Sequence, residues 1–197
     1  MLVVAGVTGQ TGAAVAAALL ARGAQVRVIV RDVGRAVAWR QRGAEVVEAD
    51  LADPVGLTAA LRGSAGAWLL NPPADGAADP YAAAARVAAA MAEAIAASGT
   101  GRAVILSSVA AERSAGTGII ATNHVVEQVL AGLEVPHAFL RAGYFVENWR
   151  PVLGVARAEG VLPSFFLDLD RSLPMQDAAD IGALAAELLT GQDWSGR

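Results

Sequence analysis

Short apolar runs alternate along this chain with longer stretches of helical spacing. Residues 2–5, 25–30, 45–48, 67–70, 103–106 and 137–140 are apolar runs of strand length. Between them, residues 12–22, 34–42, 55–61, 81–97 and 123–131 place apolar side chains at helical intervals. Strand then helix, repeated, predicts a parallel sheet covered on both faces. Asp53-Pro54 opens the third helix as a cap followed by a first-turn proline. Gly99 and Gly101 close the fourth helix. Residues 76–79 read as a mobile loop.

After Leu140 the rhythm changes. Residues 144–159 read as an irregular segment and a short helix, broken by Pro151. Residues 161–173 read as one or two short strands, and residues 178–190 as a final helix capped by Asp177. This tail is too short to stand alone. The expected organisation is a Rossmann-like α/β fold: a doubly wound parallel sheet over residues 1–143, with a small C-terminal lobe over residues 144–197. The lobe would lie over the C-terminal edge of the sheet, where open α/β folds bind ligands.

Composition narrows the function classes. A chain of 197 residues, 55% hydrophobic, suits one domain with at most a small appendage. Cysteine is absent, so disulfide stapling and thiolate chemistry are excluded. All fifteen basic residues are arginine. No lysine can form a Schiff base, assist a tyrosine or serve a Walker A loop. A net charge of -4 argues against a nucleic-acid partner. No apolar run has membrane-spanning length, and strand-like sequence begins at Leu2 where a leader would lie. The expectation is a soluble cytoplasmic protein with no membrane partner.

Gly6-Val7-Thr8-Gly9-Gln10-Thr11-Gly12 joins the first strand to the first helix. Strand, glycine turn and helix together suit a dinucleotide phosphate. The glycines permit a tight turn and a close backbone approach, and the helix start offers unpaired N–H groups. The spacing is G-x-x-G-x-x-G, and a glycine-rich turn without a ligand would look the same. The second strand ends in Val30-Arg31-Asp32, with Arg35 one turn on. Two arginines there favour the 2′-phosphate of NADP. Asp32 leaves two alternatives: it caps the next helix, or it holds the free ribose of NAD. Asp50-Leu51 falls where such folds meet adenine, or is an ordinary helix-entry loop. Asn71-Pro72-Pro73 makes a fixed turn over the expected cofactor path. Ser107 and Ser108 end the fifth strand, facing a nicotinamide ribose or satisfying strand-end backbone.

These segments, with Gly43-Ala44-Glu45-Val46-Val47-Glu48-Ala49, Glu127-Gln128-Val129-Leu130, residues 139–148 and Asp180-Ile181, resemble the NmrA-like family. That family is an atypical branch of the short-chain dehydrogenase/reductases. The resemblance covers nearly the whole chain. It implies NAD(P) bound on a Rossmann domain, with NADPH:quinone oxidoreductases and non-catalytic redox sensors among the relatives.

Against that pattern, aligning Glu127 with the family's glutamate puts Ile119 and Asn123 where the superfamily has Tyr-x-x-x-Lys. Ile119 has no acid, and Asn123 hydrogen-bonds without lowering a phenol's pKa. Quinone reductase relatives often have histidine at the Asn123 position. Here His124 is adjacent, about 100° around an ideal helix. Its other reading is an ordinary helix residue. Tyr144, Glu147 and Asn148 fall on a loop that in relatives lies against nicotinamide and substrate. Tyr144 stacks on a substrate, donates a proton or simply packs. Trp149, Phe165 and Phe166 form an apolar wall or core, and His137 is structural. The candidate catalytic residues are Tyr144, Asn123 and His124. Relatives continue past the last helix with another strand and helix, so a minimal lobe with an open pocket, or a shortened chain, is expected. The leading reading is hydride transfer from NADPH to a quinone or similar small electrophile. A non-catalytic NADP sensor acting through a protein partner is the rival, and an epimerase is disfavoured. A homodimer is compatible with either.

Overall fold

Leu2, Val3, Val4 and Ala5 are all buried. Consecutive side chains of a strand point to opposite faces. Leu2 and Val4 enter one hydrophobic cluster, and Val3 and Ala5 enter a second. Such a strand belongs inside a sheet covered twice. The computed structural model describes residues 1–74, 76–164, 166, 168–170 and 172–191. Its main sheet contains β1 (Leu2–Ala5), β2 (Val26–Val30), β3 (Glu45–Glu48), β4 (Gly66–Leu70), β5 (Ala103–Ser108) and β6 (His137–Ala142), in the order β3-β2-β1-β4-β5-β6. Every pairing is parallel, and Val4 lies opposite both Val28 and Trp68.

The helices are α1 (Gln10–Ala21), α2 (Val37–Gln41), α3 (Pro54–Leu61), α4 (Pro80–Ser98), α5 (Ala121–Leu130), α6 (Leu153–Glu159) and α7 (Ala178–Thr190). One face of the sheet is covered by α1, α2 and α7 through Val15, Leu19, Trp39, Ile181 and Leu189. The other is covered by α3, α4 and α5 through Leu57, Leu61, Met91, Ile95, Val126 and Leu130. Each such side chain contributes about 1.5–3 kcal/mol by leaving water. Carboxylate caps set three helix starts: Asp53 for α3, Asp79 for α4 and Asp177 for α7.

Several boundaries differ from the sequence reading. Helix α1 starts at Gln10, so the glycine loop is shorter than its motif. The stretch read as one helix over 34–42 is a 3-10 turn (Val33–Ala36) followed by the short α2. Residues 161–173 contain no strand among those described. Pro163 cannot donate to a ladder, and Asp168 turns the chain by accepting from the Asp170 N–H at 3.1 Å. The strand lies later: β7 (Tyr144–Phe145) pairs in parallel with β8 (Met175–Gln176). Helix α7 is also not part of the lobe. Gly182 lets it lie directly on α1, since a Cβ there would sit 2.6 Å from the Ala14 carbonyl carbon. It completes a layer of the main domain.

Candidate functional site

All six strands run the same way, so the segment after each emerges at one edge. The glycine loop follows β1, Arg31 follows β2, Asp50 follows β3, Asn71 follows β4 and Tyr144 follows β6. The strand order reverses between β1 and β4, and a crevice opens there.

The loop's three glycines do three jobs. Gly6 has φ +73°, which L side chains rarely adopt, and a Cβ would meet Leu70 at 2.7 Å. Gly12 is buried under the loop, where a Cβ would lie 2.4 Å from the Ala5 carbonyl oxygen. It serves helix–strand packing. Gly9 is exposed and extended, and a Cβ there would approach nothing closer than the Gly6 oxygen at 3.4 Å. Space above Gly9 is therefore open. No side chain caps α1, whereas α3, α4 and α7 each hold an aspartate at that place. Its first N–H groups and dipole face this opening. Thr8 and Gln10 are exposed beside it, and Thr11 is half-buried. These residues fit a dinucleotide pyrophosphate.

A groove of about 190 Å³ runs on from the loop, lined by Thr8, Gly9, Arg31, Asp50, Leu51 and Pro72 among others. Asp32 is engaged as a cap, accepting from the Gly34 N–H at 2.8 Å. The bond uses one carboxylate oxygen, Oδ1, and realises the capping alternative. Arg31 and Arg35 are exposed, and neither side chain has a hydrogen bond or ion pair among the described residues. Arg31 lines the groove; Arg35 lies on the following 3-10 turn. Asp50 accepts from the Ala52 N–H at 2.9 Å, and Leu51 is buried. Asn71 donates to the Thr122 hydroxyl at 3.1 Å, tying the end of β4 to α5.

Trp39 was not among the expected site residues. Its buried indole N–H donates to the Val7 carbonyl at 3.2 Å and braces the glycine loop from α2. Arg42 lies over the same ring, 4.5 Å from its centre. An arginine three residues after a tryptophan on a short helix is the only trace of this in the chain.

At the other end, the two serines part company. The buried Ser107 hydroxyl donates to Glu127 at 2.5 Å, while Ser108 turns to the Val109 carbonyl at 3.1 Å. Glu127, only 6% exposed, also receives two hydrogen bonds from Arg141, at 2.9 and 2.6 Å. Burial pushes this carboxyl up. The Arg141 and Ser107 hydrogen bonds, with the Arg141 charge, outweigh burial and hold it below the ordinary carboxylate value. The Glu127 hydrogen bond in turn raises the Arg141 guanidinium. One carboxylate so joins α5 to β5 and β6.

Asn123 lies one turn before Glu127, half-buried, with no side-chain hydrogen bond among the described residues. Ile119 is 69% exposed. His124 points Nδ1 at the Ala111 carbonyl, 2.8 Å away. A carbonyl only accepts, so Nδ1 carries the hydrogen, and in the neutral ring Nε2 is then the acceptor. The loop it holds includes Ala110 at φ +70°, a strained conformation for a residue with a Cβ.

Tyr144 belongs to the lobe. Its ring is edge-on to Phe166 at 5.0 Å and to Trp149 at 5.8 Å. Glu147 accepts from the Ala178 N–H at 2.8 Å, adding to the cap of α7. Asn148 is exposed. His137 is buried, with Nδ1 3.0 Å from the carbonyl of Val135, just before β6. Phe165 lies outside the described residues. A second cavity, about 230 Å³, is lined by Trp149, Phe166, Leu162, Leu173, Met175 and Asp168, together with Ser164 and Leu169. No described helix is long and apolar enough to cross a membrane.

The fold is shared with known reductases. An NADPH-dependent quinone oxidoreductase from Escherichia coli, solved with NADPH, is 26% identical, with a TM-score of 0.83 over 100% of this chain and 67% of its own. The Citrobacter triphenylmethane reductase solved with NADP(H) is 22% identical, with a TM-score of 0.82 over 98% and 66%. A nucleoside-diphosphate-sugar epimerase from Staphylococcus aureus is 15% identical, with a TM-score of 0.83 over 100% and 69%. The chain thus spans about two thirds of the length of these structures. Residues 1–196 match the model of the NmrA-like family, and the chain belongs to that family.

Proposed function

We propose that this protein binds NADP(H) along the groove and passes hydride to a quinone or similar small electrophile. The carrying observation is an uncapped α1 N-terminus beside an arginine, Arg31, that has no protein partner among the described residues. Gly9 and the α1 N–H groups would receive the pyrophosphate. Arg31 and Arg35 would clamp the 2′-phosphate, and Asp50, Leu51 and Pro72 would flank the adenosine half. Asn71, Ser108 and Asn123 would serve the nicotinamide end of the edge. Bound there, the reduced nicotinamide supplies the hydride. His124 offers Nε2 as an acceptor, and Tyr144 contributes to the aromatic wall of the lobe. The reduced cofactor is made in the cytoplasm, where we place the protein.

A sensor that binds NADP without turnover is the second reading. It is favoured by Ile119 and Asn123, which supply neither a phenol nor an amine. NADPH titration and NADPH consumption with a panel of quinones separate the two. Binding with turnover supports the reductase. Binding with no turnover transfers the assignment to the sensor, and absence of binding removes both.

A further inference from the structure

We infer that Trp39 is a positioning residue for the dinucleotide: its indole N–H sets the peptide that offers the Thr8 N–H to the pyrophosphate. This rests on the glycine loop being the NADP(H) phosphate site, and it names a residue outside the loop that tunes it.

Residues 6–9 form one turn, closed by the Gly9 N–H donating to the Gly6 carbonyl at 2.9 Å. The central peptide of this turn joins Val7 to Thr8. In a four-residue turn the central peptide has two settings, related by a flip that exchanges the directions of its C=O and N–H. The peptide is planar and trans, so those two groups point in opposite directions. Whatever holds the Val7 carbonyl therefore also aims the Thr8 N–H.

Trp39 holds that carbonyl. Its indole N–H donates at 3.2 Å from a ring only 8% exposed, and no other donor reaches the Val7 oxygen among the described residues. Val7 and Trp39 belong to the hydrophobic cluster on the α1, α2 and α7 side of the sheet. Ala5, Ile29 and Leu51, which line the groove, belong to the cluster on the opposite side. Thr8 lines the groove with Gly6 and Gly9, and Val7 does not. The carbonyl so faces inward, and the Thr8 N–H faces the opening before α1. That N–H has no acceptor among the described residues.

Thr8 and Trp39 select this setting together. The flipped turn needs a positive φ at Thr8, which a β-branched residue resists and which Thr8 does not adopt. The indole then holds the peptide against lesser rotations. Without it, the Val7 oxygen is left buried and unpaired, and turning it towards water presents an acceptor to an anion. A phosphate that accepts from the Thr8 N–H also polarises the peptide, so the Val7 oxygen becomes a better acceptor for the indole. Each bond strengthens the other.

Trp39→Phe keeps an aromatic ring beside Arg42 and removes the N–H. Titrations with NADPH, NADH and 2′-AMP test the role, since 2′-AMP has the 2′-phosphate but no pyrophosphate. Affinity for NADPH and NADH should fall by a common factor, about three- to tenfold, and that for 2′-AMP should stay within about twofold. In 15N-labelled wild type, NADP should move the Trp39 indole resonance and the Thr8 amide downfield together, and 2′-AMP should move neither. An unchanged NADPH affinity in Trp39→Phe, or an equal loss for 2′-AMP, overturns the inference and leaves the phosphate site standing. Should the variant fail to fold, a wild-type indole resonance unmoved by NADP overturns it as well. A wild type that binds neither NADPH nor NADH removes the phosphate site itself, and the role of Trp39 with it.

Discussion

The glycine-loop groove and the lobe cavity are built by opposite means. The groove is over-determined. Gly6 and Gly12 fit against Leu70 and the Ala5 carbonyl with no space to spare, and Trp39 braces the loop from a third element. At Gly6 and Gly12, little can vary without loss of the fold. The lobe cavity is made of side chains on turns and two-residue strands, with its apolar lining partly open to water. The first suits a constant ligand held by its phosphates, the second a ligand recognised by shape and charge. A binding protein that needs one invariant partner and one variable partner separates them in this way.

The contrast breaks most sharply within the loop itself. Gly12→Val places side-chain atoms on the Ala5 carbonyl, so loss of the cooperative unfolding transition is the expected outcome in urea titration. Gly9→Val meets open space, so the fold should survive with an unchanged midpoint while NADPH affinity falls about a hundredfold or more. A Gly9→Val protein with normal affinity would put the phosphates elsewhere.

Next in size is cofactor choice. Arg31→Ala with Arg35→Ala should cost NADPH binding about 1.5 kcal/mol per exposed guanidinium, roughly tenfold each, and leave NADH nearly unaffected. Equal losses for both cofactors would mean that the 2′-phosphate is not read here.

The Glu127 junction should show in stability and its pH dependence. Glu127→Gln keeps the shape and removes the charge, at a cost of about 1–3 kcal/mol at neutral pH. A carboxyl whose value is lowered by folding stabilises the fold above its unfolded value of 4.5. That contribution is lost as pH falls from there through the folded value. Urea midpoints of wild type and variant should therefore draw together in acid. A gap independent of pH would assign the loss to packing.

The smallest effects belong to the reacting end. Asn123→Ala should raise KM for NADPH more than it lowers kcat, the signature of lost ground-state binding. Tyr144→Phe should lower turnover only about two- to threefold, because its ring contacts remain and hydride transfer does not use its proton. Abolished activity in Tyr144→Phe would make the phenol an essential acid.

What the amino-acid order reveals follows the same division. The buried strands were legible because residues 2–5 and 103–106 are continuously apolar, as two covered faces require. Asp53-Pro54 and Asp177 announced their helices through local chemistry. Trp39 was not legible, since its partner Val7 lies on a separate element and the bond is made to backbone. Nor was the Ser107–Glu127–Arg141 junction, which joins three distant segments through side chains. Residues 161–173 misled for a related reason: Leu162, Phe166, Leu169 and Leu173 line a cavity, so their spacing does not report a ladder. Gly182 looked like any glycine in a helix until Ala14 was seen beneath it.

The seating of α7 on α1 has a consequence for biosynthesis. Val15, Ala16 and Leu19 are made within the first twenty residues, but Ile181, Ala185 and Leu189, which cover them, come at the far end. During vectorial translation the α1 side of the sheet stays uncovered while the α3–α5 side is already complete. Closure of the glycine-loop helix is then a late, long-range event, of the kind that slows folding and leaves apolar surface accessible to chaperones. The helix behind the glycine loop is thus made before the rest of the sheet and secured after it.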